Sequence, residues 1–375
     1  MASGAHAYLT GLGSYLPGDP VDNDGIAARL GGDDRVTDRI RRRVLEENGI
    51  RTRHYALDAH GEPTELNEEL AVKALQAALA DRGIGPADLR MLAVATTQGD
   101  ALVPGFGSMV HGRLGGGPMQ VLTAAGVCAS SLAALDAAVA KIRLGDHPRA
   151  AVVASELPSR SLRQRRFDGI NARMDSHFLR WMLSDGAGAA VVEFQPHPTR
   201  PSLRVDWVRH VSLAHDHDVC MRSGMDGIDP AVGSTWQDVP VAEAEARGMF
   251  VLRQDTAVLG ELAEAGIAQF EELVDTGLID LKHLDHVVCH YSTHAFRDLA
   301  FDGIKKRMPS LDTDRWYSNL ESRGNTGSAS IFIALEEAWH SGRFLPGQTV
   351  LLAVPESARF AFAFAHLTVV GPAGS

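Results

Sequence analysis

Three side chains in this sequence of 375 residues could together carry out nucleophilic chemistry: Cys128, His290 and Asn325. A cysteine thiolate is a nucleophile, and a histidine can accept or donate a proton near neutral pH. An asparagine carboxamide can donate a hydrogen bond to a carbonyl oxygen. Each residue also has a structural interpretation, because cysteine packs as a small apolar residue and asparagine between glycines forms turns. Their surroundings in the chain must therefore decide between packing and chemistry.

Cys128 stands at the start of a helix-like segment, in TAAGVCASSLAALDAAVAKIRLGD (123–146). A strand-like apolar run precedes it, and Gly126 allows a tight turn that would lift the side chain out of the fold. A helix N-terminus carries about half a positive charge, so it should lower the pKa of a thiol placed there. This setting favours a thiolate more than an isolated cysteine would, and it leaves packing open.

Metal binding is an alternative role for the histidines. His290 and His294 are spaced i, i+4 and would share a helix face, and His215, His217 and Cys220 cluster in AHDHDVC. No motif of the HExxH kind accompanies either group, and zinc sites use three or four placed ligands. We therefore expect no metal.

Strand-like and helix-like segments alternate along the chain, which predicts an α/β fold with parallel strands and crossover helices. The strand-like segments are 89–98, 119–128, 149–156, 284–292, 315–330 and 348–357, and helix-like segments follow Cys128 and cover 295–308 and 331–342. Binding and catalytic sites in such units form at the carboxyl ends of strands. Cys128, His290 and Asn325 all lie at or just after such ends.

The two halves of the chain match at a constant shift of 200 residues. Residues 134–138 (ALDAA) match residues 334–338 (ALEEA), Glu156 matches Glu356, and Cys128 falls on Ser328. One shift near half the chain length predicts a gene duplication with two pseudo-twofold halves. Because the second copy carries serine at the equivalent place, packing does not require sulfur at position 128.

Composition excludes several other classes of protein. A formal net charge of −11 argues against non-specific nucleic-acid binding. No apolar run is long enough to span a bilayer, and the N-terminus lacks the pattern of a signal peptide, so we expect a cytoplasmic protein without membrane contact. Three cysteines in so long a chain predict no disulfide framework.

The chain resembles the thiolase superfamily and, within it, the β-ketoacyl-ACP synthase III group of condensing enzymes. The resemblance runs nearly end to end through YLTGLGSYLPG, ENGIRTRHYAL, AAGVCASSLAAL (124–135), LSDGAGAAVVE (183–193), VVCHYSTHAF (287–296) and RGNTGSASIFIALEEA (323–338). It implies a thiolase fold of duplicated halves in α-β-α-β-α layers, with an N-terminal half over 1–195 and a C-terminal half over 196–375. It also implies a homodimer.

By the same resemblance, Cys128 takes an acyl group from a thioester, and His290 with Asn325 holds the carbonyl of the second substrate. The backbone N–H groups of Cys128 and Ser357 would form the oxyanion hole. Here the sequence departs from the family, because AVPESARFAFAF (353–364) replaces the usual run of glycines with Glu356, Ser357 and Ala358. A main-chain donor does not require glycine, so Ser357 can still serve, with a different backbone geometry and pocket shape.

The resemblance also bears on the acyl donor. Members that use coenzyme A carry a tryptophan before the segment NGIRTRH, whereas this chain reads TDRIRRRVLEENGI (37–50) and has no aromatic residue there. We therefore expect an acyl carrier protein as the donor and partner, with coenzyme A as the alternative donor, and no cofactor. The arginine runs DRIRRRV (38–44) and SRSLRQRRF (159–167) could meet its acidic surface. In the second run, Arg160, Arg163 and Arg166 are candidate phosphate contacts, with a solvated helix face as the alternative.

The segments HYSTHAFR (290–297) and PESARF (355–360) look more like those of divergent family members from natural-product pathways than like those of fatty-acid initiation enzymes. The resemblance implies two possible reactions. The first is acyl transfer through a Cys128 thioester to a second carrier or a small acceptor in polyketide or secondary-metabolite biosynthesis, with His290 as general base. The second is decarboxylative Claisen condensation with a malonyl carrier. A third reading, a catalytically idle partner subunit, fits less well because all three side chains are present.

The loops 99–109 and 220–250 are expected to line the acyl pocket, and their Met and Phe residues suit an apolar or aromatic acyl group.

Overall fold

A computed structural model describes residues 5–32, 35–170, 172–228 and 231–374. Over these residues the strands are β1 (Ala7–Tyr15), β2 (Val21–Asp22), β3 (Thr52–Arg53), β4 (Met91–Thr96), β5 (Gln120–Ala125), β6 (Arg149–Glu156), β7 (Gly186–Glu193), β8 (Ser202–Ser212), β9 (Met221–Arg222), β10 (Arg253–Gln254), β11 (His286–Cys289), β12 (Trp316–Tyr317), β13 (Thr349–Glu356) and β14 (Ala361–Val370). The helices are α1 (Ile26–Leu30), α2 (Arg35–Asn48), α3 (Asn67–Arg82), α4 (Phe106–Leu114), α5 (Ser130–Arg143), α6 (Ser159–Leu162), α7 (Met174–His177), α8 (Val241–Ala246), α9 (Leu259–Asp275), α10 (His294–Arg307), α11 (Leu320–Arg323) and α12 (Ser330–His340).

Ten of the described strands form one sheet in the order β12-β11-β13-β14-β8-β1-β7-β6-β4-β5. From the central antiparallel pair β1–β8, the order outward is β7, β6, β4, β5 on one side and β14, β13, β11, β12 on the other. The last three strands run parallel on each side, and the strand before them is antiparallel to its neighbours. The two sides therefore have the same topology, which confirms the predicted duplication.

The hydrophobic core is divided into layers by the alternation of side chains along the strands. On β6, Ala150, Val152 and Ala154 pack with α5 and α12 in a central cluster, while Ala151 and Val153 pack with α3 and α4 in an outer one. On the other side of the centre, Leu351 and Ala353 of β13 pack with α9 and α10, and Val350, Leu352 and Val354 face the central cluster. Strands covered by helices on both faces are apolar throughout. The predicted α-β-α-β-α arrangement is confirmed.

Gly188 of β7 explains how closely α12 approaches the sheet. A Cβ atom built on Gly188 would lie 2.7 Å from the Cβ of Phe332 and 2.8 Å from the backbone nitrogen of Ile333. Any side chain at this position would push α12 outward. Gly188, the second glycine of the segment LSDGAGAAVVE, therefore determines how close α12, the helix after Asn325, lies to the sheet.

The structure corrects two local predictions. The segment 315–330 contains strand only at Trp316–Tyr317 and continues as α11 and a 3₁₀ turn, Gly327–Ala329. His290 and His294 do not share a helix face, because α10 begins at His294 and His290 lies in the loop before it. Division of the chain at residue 195 stays a prediction, and no described helix is long and apolar enough to cross a membrane.

Candidate active site

Cys128 and His290, which are 162 residues apart in the chain, meet at the carboxyl ends of two strands. The Nε2 atom of His290 lies 3.2 Å from the Sγ atom of Cys128, and both residues are buried. Cys128 lies in the turn between β5 and α5. His290 follows β11, and its backbone N–H donates to the carbonyl oxygen of Ala353 on β13 at 3.0 Å. The pair therefore combines a residue that follows β5 with a residue that follows β11, and these two strands lie on opposite sides of the central pair β1–β8.

Asn325 is held in place by the segment before β7. Its backbone pairs with Leu183 as an isolated parallel bridge, and its carbonyl accepts the N–H of Ser184 at 2.8 Å. Its side-chain Oδ1 accepts the N–H of Gly327 at 2.9 Å. Asn325 is thus the turn residue that its glycine neighbours suggested. This bond also fixes the orientation of the side-chain amide. The Nδ2 atom has no hydrogen-bond partner among the described residues.

Cys128, His290, Asn325 and Ser357 line one cavity of about 600 Å³. Its other walls are largely apolar, and the apolar lining residues include Leu102, Leu157, Leu179, Met182, Leu183, Met221, Trp236, Phe250, Leu252, Leu262 and Phe296. Both loops expected to line the pocket, 99–109 and 220–250, contribute to this set. The size and lining are typical of a site for a small apolar group.

The thiol of Cys128 differs from the sequence-based expectation. Burial raises its pKa well above the ordinary value, and the carboxylates of Glu356 and Glu156 raise it further. The negative charge of Glu356 opposes the positive end of α5, because Glu356 Oε2 accepts the N–H of Ala129 at 2.9 Å. The predicted lowering of the thiol pKa by the helix is therefore wrong, since desolvation and two nearby carboxylates outweigh it.

The two carboxylates occupy equivalent places in the two halves. Glu156 Oε1 accepts hydrogen bonds from Ser328 Oγ at 2.5 Å and from Thr97 Oγ1 at 2.9 Å. Burial raises the pKa of Glu156 to about 7. Burial also raises the pKa of Glu356, although the N–H groups of Ala129 and Val127 oppose the shift. Sequence reasoning placed both residues at strand ends and did not include them in the site. The sequence signal that could have identified them is that Glu156 and Glu356 match at the same 200-residue shift as Cys128 and Ser328.

His290 is uncharged at neutral pH. Burial lowers the pKa of its imidazole to about 4. With the thiol pKa raised, the resting pair is a neutral imidazole beside a neutral thiol. At 3.2 Å, Nε2 is in position to take the thiol proton as the sulfur attacks a carbonyl carbon.

The N–H groups of Cys128 and Ser357 are free to bind an oxyanion. Neither donates to a backbone carbonyl in the described part of the chain, and both residues line the cavity. Preorganised backbone donors of this kind stabilise the charge that develops in acyl transfer. Their role as an oxyanion hole stays a prediction.

The three candidate phosphate-binding arginines differ in position. Arg160 lines the cavity and forms an ion pair with Asp100, and Arg166 lines it and lies 3.1 Å from Glu245. Arg163 does not line the cavity: its side chain is buried and donates to the carbonyl of Gly61 at 3.2 Å. The side chain of Arg163 is therefore hydrogen-bonded to the backbone of Gly61. Contact with a carrier stays a prediction for Arg160 and Arg166.

Cys220, Cys289 and His217 contribute to the packing of the fold. Burial raises the pKa of Cys220 to about 11 and that of Cys289 to about 12. His217 stacks on Phe360 at 3.9 Å between ring centroids and lies 2.7 Å from Glu261. Among the described residues, no group of three or more His, Cys, Asp or Glu side chains is arranged to hold a metal ion.

Comparison with known proteins gives similarities over almost the whole chain. The family model described as 3-oxoacyl-[acyl-carrier-protein (ACP)] synthase III C terminal matches residues 275–354. A β-ketoacyl-[acyl-carrier-protein] synthase III of Rhodospirillum rubrum is 30% identical over 347 residues, covering 92% of this chain and 94% of that protein. A protein of the same name from Bordetella petrii is 29% identical over 350 residues, covering 92% of this chain and 93% of that one.

Solved structures show the same fold. AbyA1, a tetronic acid condensing enzyme, superposes with a TM-score of 0.76 at 22% identity, covering 96% of this chain and 99% of that chain. FabH, the 3-oxoacyl-(acyl carrier protein) synthase III of Pseudomonas aeruginosa PAO1, gives 0.73 at 24% identity, covering 99% and 100%. OleA of Xanthomonas campestris gives 0.74 at 17% identity, covering 97% and 98%. The predicted thiolase fold is confirmed.

Proposed function

Because the chain belongs to the β-ketoacyl-[acyl-carrier-protein] synthase III family, we propose that it transfers an acyl group through a thioester on Cys128. The donor is an acyl carrier protein, and the acceptor is a second carrier or a small molecule in polyketide or secondary-metabolite biosynthesis. The observation that carries the proposal is the 3.2 Å contact between Cys128 Sγ and His290 Nε2, in a cavity shared with Asn325.

In the first half-reaction, Sγ attacks the thioester carbonyl carbon as its proton moves to His290 Nε2. The N–H groups of Cys128 and Ser357 hold the tetrahedral oxyanion. The carbon–sulfur bond to the donor then breaks, and the leaving thiolate takes the proton from the imidazolium. The donor is released as a free thiol, and the enzyme keeps the acyl group.

In the second half-reaction, the acceptor gives its proton to His290 and attacks the acyl carbon. Cys128 leaves and regains the proton from the imidazolium. A histidine whose pKa is lowered to about 4 is free to act as a base at neutral pH. Asn325 polarises the carbonyl through Nδ2, the donor that its own turn does not use.

Decarboxylative condensation is the second candidate, and the name of the relatives from Rhodospirillum rubrum and Bordetella petrii, β-ketoacyl-[acyl-carrier-protein] synthase III, favours it. In that reaction a malonyl thioester loses carbon dioxide, and its carbon attacks the acyl group on Cys128. His290 Nε2–H and Asn325 Nδ2–H would both donate to the enolate oxygen. At this step condensation requires a proton on Nε2, whereas the second half-reaction of transfer requires a lone pair on the same atom. After acylation, the two reactions therefore use opposite protonation states of Nε2.

The experiment that separates the reactions starts from the acylated enzyme. Acylated protein is freed of donor and mixed either with unloaded carrier protein or with malonyl carrier protein. Loss of the acyl mass to the unloaded carrier, with no carbon dioxide release from the malonyl carrier, supports transfer. Carbon dioxide release with formation of a β-ketoacyl carrier contradicts it and supports condensation.

We also propose a homodimer. Strand β5 ends the sheet, and its outer edge has no strand partner within the described ranges. An uncovered edge can be completed by a second copy of the chain. Light scattering should give the mass of two chains, and the mass of one chain would contradict the dimer.

A further inference from the structure

The loop that carries Arg222 is anchored to the reactive side of the cavity. The backbone N–H groups of Cys220 and Met221 donate to the carbonyl of Ala358 at 2.9 and 3.1 Å. Ala358 follows Ser357, the candidate oxyanion donor. Strand β9 then pairs with β10, where Arg222 lies opposite Arg253. The position of Arg222 is therefore tied directly to the turn that follows β13.

Aromatic packing braces the same loop. The N–H of Trp236 donates to the carbonyl of Gly224 at 3.0 Å, and the N–H of Gly224 donates to that of Met249 at 2.6 Å. The rings of Trp236 and Phe250 pack at 5.7 Å between centroids. Both rings and Arg222 line the cavity. Arg222 thus lines the cavity together with two aromatic rings and with the polar residues Ser223 and Gln254.

Arg222 differs from its neighbours in having no anionic partner among the residues that the structure describes. Arg160 pairs with Asp100, Arg166 with Glu245, and Arg253 with Asp175. Arg222 makes no side-chain hydrogen bond or ion pair with any residue in the described ranges, and its Nε atom is buried without an acceptor. A buried guanidinium nitrogen without an acceptor is costly, and a planar oxyanion can satisfy Nε together with a terminal nitrogen.

We propose that Arg222 binds an anionic oxygen group of the substrate, a carboxylate or a phosphate, inside the acyl cavity. The inference rests on the proposed function, since it specifies the substrate of the same site. The group has two possible sources: a carboxylate at the far end of the acyl chain, or the phosphate of the phosphopantetheine arm on which the acyl group arrives. In either case the substrate combines an apolar chain with one negative charge.

The test uses unreactive amide analogues and isothermal titration calorimetry on the full chain. Hexanoyl-pantetheine amide is neutral, adipoyl-pantetheine amide adds a terminal carboxylate, and hexanoyl-phosphopantetheine amide adds the phosphate. At least one of the two charged analogues should bind roughly tenfold or more tightly than the neutral one. Arg222→Gln should abolish that gain and leave the neutral analogue's affinity within about twofold. The matched control is Arg209→Gln, which removes an exposed arginine that does not line the cavity.

The two analogues distinguish the sources, because a gain with the adipoyl compound identifies the acyl carboxylate and a gain with the phosphorylated compound identifies the arm. Equal affinity for all three compounds would overturn the proposal. An equal loss in the Arg222 and Arg209 variants would also overturn it, since the effect would then be long-range charge. Acylation of Cys128 by hexanoyl-N-acetylcysteamine is measured separately by mass. Its failure would count against the proposed function, while the binding data would still decide the role of Arg222.

Discussion

The carboxylate of Glu356 accepts a hydrogen bond from the backbone N–H of Ala129 at 2.9 Å, across 227 residues of chain. This contact ties the end of β13 to the first turn of the helix that follows the nucleophile. A carboxylate stabilises a helix N-terminus, but here it also raises the pKa of the adjacent Cys128 thiol. Burial and the charge of Glu356 together make the Cys128 thiol less acidic.

Glu356→Gln should make Cys128 more reactive. The amide keeps an oxygen that can accept the Ala129 N–H, and it removes the negative charge that disfavours the thiolate. We expect alkylation of Cys128 by iodoacetamide at pH 7 to become roughly threefold to tenfold faster. Glu321→Gln, which removes one charge outside the cavity, should leave the rate unchanged. An unchanged or slower rate in the Glu356 variant would show that its charge does not restrain the thiol.

The rate of Cys128 acylation should have an unusual pH profile. The pKa of His290 is lowered to about 4 by burial, so its base form persists well below the ordinary value of 6.5. We expect the rate to hold its plateau through pH 6.5 and to fall as the pH approaches 4. His290→Gln should slow acylation at pH 7 by roughly 10²–10⁴-fold. His294→Gln is the control, and a wild-type inflection near pH 6.5 would contradict the assignment.

Glu156→Gln should change how stability depends on pH. The folded-state pKa of Glu156 is raised from 4.5 to about 7. Its contribution to stability is therefore fully present below pH 4.5 and is lost as the pH rises through 7. Relative to the variant, the wild type should lose on the order of 2–3 kcal/mol of unfolding free energy between pH 4.5 and 8. Urea denaturation at both pH values measures this difference, and parallel behaviour of the two proteins would refute it.

Asn325→Asp should separate the two half-reactions. Aspartate keeps the oxygen that accepts the Gly327 N–H, so the turn is retained, but it removes the Nδ2 donor. Because the aspartate also adds a negative charge to the cavity that Cys128 lines, we expect Cys128 acylation to slow by up to about tenfold and the second step to slow by more, roughly 10²-fold. Single-turnover mass spectrometry follows both steps in one sample. Equal losses in the two steps would mean that Asn325 acts through the turn instead of the carbonyl.

The sequence repeat contained information on this site that the sequence-based prediction did not use. A shift of 200 residues placed Cys128 on Ser328 and Glu156 on Glu356. In the structure, Glu156 binds Ser328 and Glu356 lies at the helix of Cys128, so each acid reaches across to the other half. Strand β6 was predicted with the bounds it has, because an apolar run between polar residues defines a buried strand well.

Other features depend on contacts that no local pattern encodes. The pairing of Arg160 with Asp100 and of Arg166 with Glu245 joins segments distant in the chain. Only the folded structure reveals that Arg222 has no such partner within the described part of the chain. The thiol pKa was misjudged for the same reason. A helix N-terminus is visible in sequence, whereas desolvation and a carboxylate from 227 residues away are not.

The central claim, an acyl-thioester on Cys128, is tested most directly by intact-mass measurement after incubation with acyl-loaded carrier protein. The wild type should gain the mass of one acyl group, Cys128→Ala should gain none, and Cys289→Ala should behave as wild type. Cys220 and Cys289 are buried outside the cavity that Cys128 and His290 line, so neither should compete. No mass gain in the wild type, or a gain that persists in Cys128→Ala, would contradict the account.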